Sequence, residues 1–280
     1  MSTITTRDGV NLHVDDSGEA GDLGRTVVLI HGWPLSAESW SAQTEVLRKE
    51  GYRVVAYDRR GFGRSGKPDD PESAYGYDTL ARDLEDVLTA LELTDVTLVG
   101  FSMGGGEVAR YFSVGDPSRI RSVVFAAAVP PFMMNGDDNP DGPLTQDAAK
   151  GMEDGLRADR DAFFEDFTTG FYSVGDDLKV SEATRKEAVR LAQQSDQDAA
   201  LGCMEAFGTT DFRDDLPKIE VPALIIHGDS DDIVPFEGSG KRTAEAVAHS
   251  RTTVIQGAPH GLNDSHAAEF NASLLEFLAD

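Results

Sequence analysis

Ser102 lies in "LVGFSMGGGEVARY", residues 98–111, between Gly100 and Gly104 in the pattern Gly-x-Ser-x-Gly. An apolar run precedes it and a helical stretch follows it. On a sharp strand-to-helix turn, a serine can be presented as a nucleophile at the head of a sheet. The glycines suit a turn too tight for side chains and let the backbone approach a substrate closely. With 28 glycines and 19 serines in 280 residues, chance alone yields such a pentapeptide in roughly one chain in five. Its context therefore decides its meaning.

A serine hydroxyl is a poor nucleophile without a base, and the base needs an orienting acid. Ligands of open parallel sheets sit beyond the carboxyl ends of the strands, so the candidates are polar residues just after each predicted strand. "IIHGDSDDIVP" offers Asp229, Asp231 and Asp232. Spacing alone does not choose among them, since loop aspartates commonly serve turns. "VIQGAPHGLND" offers His260, which combines a strand-end loop, flanking Pro259 and Gly261, and the chain order Ser, Asp, His. The other histidines read as structural or superficial. His13 falls in an edge hairpin, His31 in a loop it can brace by hydrogen bonds, and His227 at a strand end. His249 ends a predicted helix, where a cation is favoured, and His266 opens the last helix. Attack on a carbonyl creates an oxyanion for backbone amides to stabilise. The expected donors are the N–H of Met103, directly after the serine, and of Trp33, in the loop "HGWPLSAESW".

The elements that must position these groups alternate along the chain. "TVVLIHG" (26–32), "YRVVAYD", "DVTLVG" and "IRSVVFAAAV" read as buried strands. Between them lie helical stretches. "AESWSAQTEVLRKEG" has Ser36 as cap and Gly51 as stop, and 77–93 places Leu80, Leu84, Val87, Leu88 and Leu91 on one face. "TITTRDGVNLHVDD" reads as an antiparallel edge hairpin turning at Asp8-Gly9. This alternation predicts an α/β fold: a mostly parallel sheet with helices on both faces. From Pro130 to Leu216 a proline- and glycine-rich loop leads into amphipathic helices without a buried strand. The expected organisation is a core of 1–129 and 217–280 with a helical cap insertion over 130–216. Ser102 thus falls between a buried strand and a helix, the context its motif requires.

Composition narrows the partners. A net charge of −25 repels phosphates, so neither nucleic acid nor an anionic membrane is an expected partner. Aspartate outnumbers glutamate 32 to 18, and arginine outnumbers lysine 18 to 7. Adaptation to high salt and compositional drift both account for that balance. The first residues carry no basic-then-apolar signal. The longest apolar stretch, "VVFAAAVPPFMM", is too short to span a bilayer. The expectation is a soluble cytoplasmic protein, with a homo-oligomer left open. The one cysteine, Cys203, excludes an intrachain disulfide and a cysteine-based metal or iron–sulfur site, and reads as a small buried hydrophobe.

With these motifs in order, the chain resembles the α/β-hydrolases of the cofactor-free haloperoxidase (perhydrolase) and arylesterase group. The resemblance runs nearly end to end. It rests on "HGWPLSAESW", "VVAYDRRGFGRSGKP", "GFSMGGGEVARY", "TDFRDDLPKIEVPALIIHGDSDDIVPFEGSGK" and "GAPHGLNDSHAAEFNASLLEFL". It implies an α/β-hydrolase fold with Ser102 as nucleophile, Asp231 as acid, three residues beyond Gly228, and His260 as base. It also implies the Trp33 and Met103 amides as oxyanion hole, and Phe167, Phe171, Phe207 and Ile233 as lining of an acyl pocket.

The activity so implied is hydrolysis of small carboxylic esters through an acyl-enzyme. Hydrogen peroxide replaces water as acceptor to form a peracid. Any halide is then oxidised by free peracid, so the resemblance implies no haem, vanadate, flavin or metal. The implied partners are a small-molecule ester or carboxylic acid, with water or hydrogen peroxide. Pro34 matches the group's better peracid formers, whose esterase-leaning relatives carry leucine there. Proline fixes φ and removes an N–H, which would set the preceding carbonyl to accept a hydrogen bond from hydrogen peroxide. The loop "NGDDNPDGP" departs from the group in its acidity. Lactonase, γ-lactamase or carbon–carbon hydrolysis by the same residues is the alternative, ahead of a non-catalytic ligand receptor. Haloalkane dehalogenases of this fold use an aspartate nucleophile, so Ser102 argues against that chemistry.

Overall fold

The computed structural model describes residues 2–19, 21, 24–72 and 74–280. Met1, Ala20, Asp22, Leu23 and Ser73, all inside the predicted segment 1–129, lie outside the described residues. The first part of the chain forms β1 (Ser2–Thr5), β2 (Asn11–Asp16), β3 (Thr26–Ile30), α1 (Ser41–Lys49), β4 (Arg53–Tyr57), α2 (Tyr77–Ala90), β5 (Val96–Phe101), α3 (Met103–Val114) and β6 (Ile120–Ala126). Next come α4 (Gln146–Ala158), α5 (Arg160–Tyr172), the two-residue strands β7 (Ser173–Val174) and β8 (Asp177–Leu178), α6 (Glu182–Gln193) and α7 (Gln197–Thr209). The chain closes with β9 (Ala223–Gly228), α8 (Gly240–Ala246), β10 (Ser250–Ile255), α9 (Leu262–Ser265) and α10 (Ala267–Ala279).

Eight strands form one sheet in the order β1-β2-β4-β3-β5-β6-β9-β10. Pairing is parallel from β4 to β10 and antiparallel where the β1–β2 hairpin joins β4. The apolar runs become the middle of the sheet because helices cover both faces, and β3, β5 and β9 are buried along their whole length. Side chains alternate across each strand. Val28 and Ile30 join Leu80, Leu84, Val87 and Leu88 of α2 and Val108 of α3. Val27 and Leu29 join Leu47 of α1 and Phe270, Leu274 and Phe277 of α10 on the other side.

Local signals set most helix ends. Gly51, at φ +87, stops α1. The Tyr52 N–H donates to the Leu47 carbonyl and the Gly51 N–H to that of Arg48, the paired bonds of a left-handed helix stop. Thr145, Asp159, Ser181 and Asp196 each cap a helix N-terminus between residues 145 and 209 with a side-chain oxygen. Ser36 departs from its expected role. It precedes a short 3₁₀ turn, 37–40, but makes no side-chain cap bond. The Ala37 N–H donates instead to Asp58 Oδ1, 2.8 Å away. The predicted helix over 77–93 ends at Ala90, leaving Leu91 at its cap position. α8 ends at Ala246, so His249 lies beyond it and its carbonyl accepts from the Ala223 N–H. No described helix is long and apolar enough to cross a membrane.

The turn after β4 buries two arginines, each with 1% of its surface exposed. Arg60 pairs with Asp83 of α2 and with Asp8. Arg59 Nε donates to Glu107 Oε1 of α3 at 2.6 Å, while the Tyr57 hydroxyl donates to Glu107 Oε2 at 2.7 Å. Removing one partner of such a pair strands a buried charge. Arg59→Met should therefore lower the unfolding free energy by about 3–5 kcal/mol. Arg59→Met/Glu107→Leu should recover much of that loss in urea denaturation. An unchanged midpoint for the single variant would mean that the pair contributes nothing.

Candidate active site

β5 runs into α3 through a turn that puts Ser102 at φ 53 and ψ −117, a sparsely populated conformation. Three backbone bonds hold it there. The Ser102 N–H donates to the Ala126 carbonyl, and the Ser102 carbonyl accepts from Gly105 and Val129. A Cβ at Gly100 would come within 2.5 Å of the Gly104 carbonyl oxygen. One at Gly104 would come equally close to the Ile30 carbonyl oxygen. These two glycines let α3 start directly against β3 and β5.

The turn meets residues from two other strand ends. Ser102 Oγ lies 2.9 Å from His260 Nε2, and His260 Nδ1 lies 2.7 Å from Asp231 Oδ2. Asp231 follows β9 and His260 follows β10, adjacent parallel strands whose ends lie side by side. All three groups are nearly closed to water, with Ser102 6%, Asp231 4% and His260 1% exposed. Asp231 Oδ1 accepts from the Ile233 and Val234 N–H groups at 3.0 and 2.8 Å. Burial pushes the Asp231 carboxyl up, but its polar contacts with His260 and His227 outweigh it and hold it well below the usual carboxylate range. An ionised carboxylate, an imidazole and a hydroxyl in series can take a proton off Ser102 Oγ and return it elsewhere.

The loop after β3 approaches the same serine. The His31 ring is fully buried, and its burial, with the Arg59 charge beside it, pushes its pKa down to about 3. The neutral ring accepts the Arg59 N–H at Nε2, 3.0 Å away. Its proton therefore sits on Nδ1 and is donated to the Gly32 carbonyl at 2.9 Å. The Leu35 N–H donates to that same carbonyl. In a planar trans peptide, the N–H of the next residue points opposite the carbonyl. Fixing Gly32 C=O thus fixes the direction of the Trp33 N–H, which finds no hydrogen-bond partner among the described residues. Met103 is the first residue of α3, where an N–H has no intrahelical acceptor. The hydrogen bonds anticipated for His31 are present.

Aromatic side chains close the site. The Trp33 indole donates to the Ala200 carbonyl at 3.0 Å and packs edge-on against Phe163, Phe164, Phe167 and Phe207. Phe171 stands 4.9 Å from the His260 ring, edge to face, and 5.8 Å from Phe101. The Phe171 carbonyl accepts the Gly261 N–H. Ile233 is half-buried against both apolar clusters, and Pro34 is buried beside Trp33.

The other candidates separate by position. Asp229 turns away to accept from the Gly257 N–H at 2.7 Å, a loop-closing role, and Asp232 is exposed. Burial pushes the Cys203 thiol up to about 12, as for an inert core residue. In the acidic loop, Asn139 donates to the Phe132 and Met134 carbonyls and accepts from Arg242, while Asp138 pairs with Arg213. The sequence reading gave Arg59 no role and took His227 for a structural strand-end residue. His227 Nε2 lies 3.3 Å from Asp231 Oδ2. The only sequence signal was its spacing, four residues before Asp231 across the β9 turn.

The comparisons agree with this architecture. The alpha/beta hydrolase fold family matches residues 25–267. The chain is 40% identical to the non-heme chloroperoxidase CPO-A1 of Kitasatospora aureofaciens, over 99% of both chains. It is 38% identical to the bifunctional esterase/perhydrolase DCH of Acinetobacter calcoaceticus, again over 99% of both. A solved bromoperoxidase from Bacillus anthracis superposes with a TM-score of 0.94 at 48% identity, covering 100% of this chain and 99% of that one. Motifs, topology and relatives converge: the chain belongs to the α/β-hydrolase fold family.

Proposed function

We propose that the protein is a serine hydrolase of small carboxylic esters that also transfers acyl groups to hydrogen peroxide. The observation carrying this reading is the relay of Ser102 Oγ, His260 and Asp231 at 2.9 and 2.7 Å, set on the turn between β5 and α3. Ser102 Oγ attacks the acyl carbonyl as His260 Nε2 takes its proton, and Asp231 orients and stabilises the resulting imidazolium. The oxyanion receives the Trp33 and Met103 N–H groups. As the tetrahedral species collapses, His260 returns the proton to the leaving alcohol, or to hydroxide leaving as water when the donor is a carboxylic acid. Water or hydrogen peroxide then attacks the acyl-enzyme, His260 takes its proton, and acid or peracid leaves with Ser102 restored. Phe167, Phe171, Phe207 and Ile233 line the acyl side in this reading, with 130–216 as a cap over a core of 1–129 and 217–280. The names of the chloroperoxidase and esterase/perhydrolase relatives support it.

The decisive assay supplies metal-free protein with acetate and hydrogen peroxide, in low and molar salt. Peracetic acid is followed beside 4-nitrophenyl acetate hydrolysis. Both products should form, and both should fall about 10⁴-fold or more in Ser102→Ala. Full turnover by that variant would overturn the reading. Asp231→Asn should lower kcat by about 10⁴-fold, whereas Asp229→Asn should keep most of it. Equal losses with intact folding would move the acid to another residue. Pro34→Leu should lower the ratio of peracid to acid, because the Trp33 carbonyl is then released from the geometry proline imposes. An unchanged ratio would leave Pro34 a structural proline.

A further inference from the structure

We propose that His227 is a positioning residue for Asp231: one imidazole N–H, bonded to the Val234 carbonyl and set beside the Asp231 carboxylate, holds that carboxylate facing His260. The proposal rests on the reading of Ser102, His260 and Asp231 above. His227 sits in β9 with its ring wholly buried. Its Nε2 is 2.7 Å from the Val234 carbonyl oxygen, which can only accept, so the proton resides on Nε2. The same Nε2 lies 3.3 Å from Asp231 Oδ2, beside its hydrogen bond to Val234. Asp231 thus has three hydrogen-bond donors, the Ile233 and Val234 amides on Oδ1 and His260 on Oδ2, with His227 Nε2 as a further polar neighbour of Oδ2.

The far nitrogen is closed off from any partner. His227 Nδ1 is buried with no hydrogen-bond partner among the described residues. A Cβ built on Gly240, at the start of α8, would lie 2.5 Å from it. Phe236 covers the ring at a centroid distance of 5.5 Å. A hydrogen on Nδ1 would meet no acceptor, which agrees with the Nε2–H tautomer. The titratable groups at this carboxylate are therefore His227 from β9 and His260 from the loop after β10.

The His227 N–H beside Oδ2 would have two effects. It stops the carboxylate rotating away from His260 Nδ1. It also offsets part of the negative charge that stabilises the His260 imidazolium. Removing it should lower kcat and make His260 easier to protonate, which moves the acid limb of the pH–rate profile upward. A residue that merely filled space would change the amount of folded enzyme without moving that limb.

The experiment measures kcat, KM and the pH dependence of kcat/KM for 4-nitrophenyl acetate in wild type, His227→Leu, His227→Gln and Ser102→Ala. Urea midpoints are recorded alongside. For His227→Leu, kcat should fall about tenfold or more at little-changed KM, the loss expected when a polar partner of a buried charged group is removed. Its acid limb should rise by about half a pH unit. His227→Gln, which keeps an N–H near the same place, should return the limb to its wild-type position and restore the larger part of kcat. An unmoved limb in His227→Leu while Ser102→Ala is inactive would overturn this proposal alone, as would a Gln variant that behaves like Leu. Full turnover by Ser102→Ala would instead overturn the reading beneath it.

Discussion

A guanidinium without access to water has to find acceptors inside the protein, and the acceptors of Arg59 come from different parts of the fold. Its backbone N–H goes to the His31 ring, its Nε to Glu107 of α3, and its Nη2 to the His31 carbonyl at 2.6 Å. Satisfying one buried cation therefore ties the end of β4 to the loop after β3 and to the helix that begins next to Ser102. The two backbone amides proposed as oxyanion donors, on Trp33 and Met103, belong to those same two elements. Their separation is set by this network before any substrate arrives. Electrostatic stabilisation of a developing charge depends on that kind of prior arrangement.

Trp33 is the counterpart on the apolar side. Its indole is spent on packing, with four phenylalanines from α5 and α7 around it and the Ala200 carbonyl on its N–H. Its backbone N–H has no hydrogen-bond partner among the described residues. The helices between β6 and β9 are thereby fastened to the loop beside Ser102. A second attachment runs from the Phe171 carbonyl to the Gly261 N–H, next to His260. Movement of α5 away from the sheet would disturb the neighbourhood of both Ser102 and His260. This couples the shape of the apolar enclosure to the geometry of the polar relay.

How far each feature was legible follows from the range of the interactions that create it. The buried strands, the β1–β2 hairpin and the stop at Gly51 were readable because they depend on neighbouring residues: β-branched runs, a glycine at positive φ, alternation of period two. Ser36 misled because a serine before a helix satisfies the local rule, while the Ala37 N–H was claimed by Asp58, twenty-one positions along the chain. The helix expected to end near His249 stopped at Ala246, since the following backbone is recruited to the β9 edge.

The sequence by itself indicated a strand-to-helix turn at Ser102, the alternation that makes the parallel sheet, and the strand-end loops where a base and an acid must be sought. Periodicity, glycine spacing and chain order carry that information over a few residues at a time. Residue types and spacing left the acid open among Asp229, Asp231 and Asp232, and the resemblance selected Asp231; the tertiary structure shows why it is the carboxylate that faces His260. Asp229 and Asp231 share one loop, and pairing of β9 with β10 turns the first toward Gly257 and the second toward the imidazole. Only the tertiary structure decided the surroundings of Arg59 and His227. A charge in a glycine-rich turn and a histidine at a strand end look solvated or idle until α3, α8 and the loop after β9 close around them. Burial and partnership arise between elements distant in sequence, so they exist only once the chain has packed.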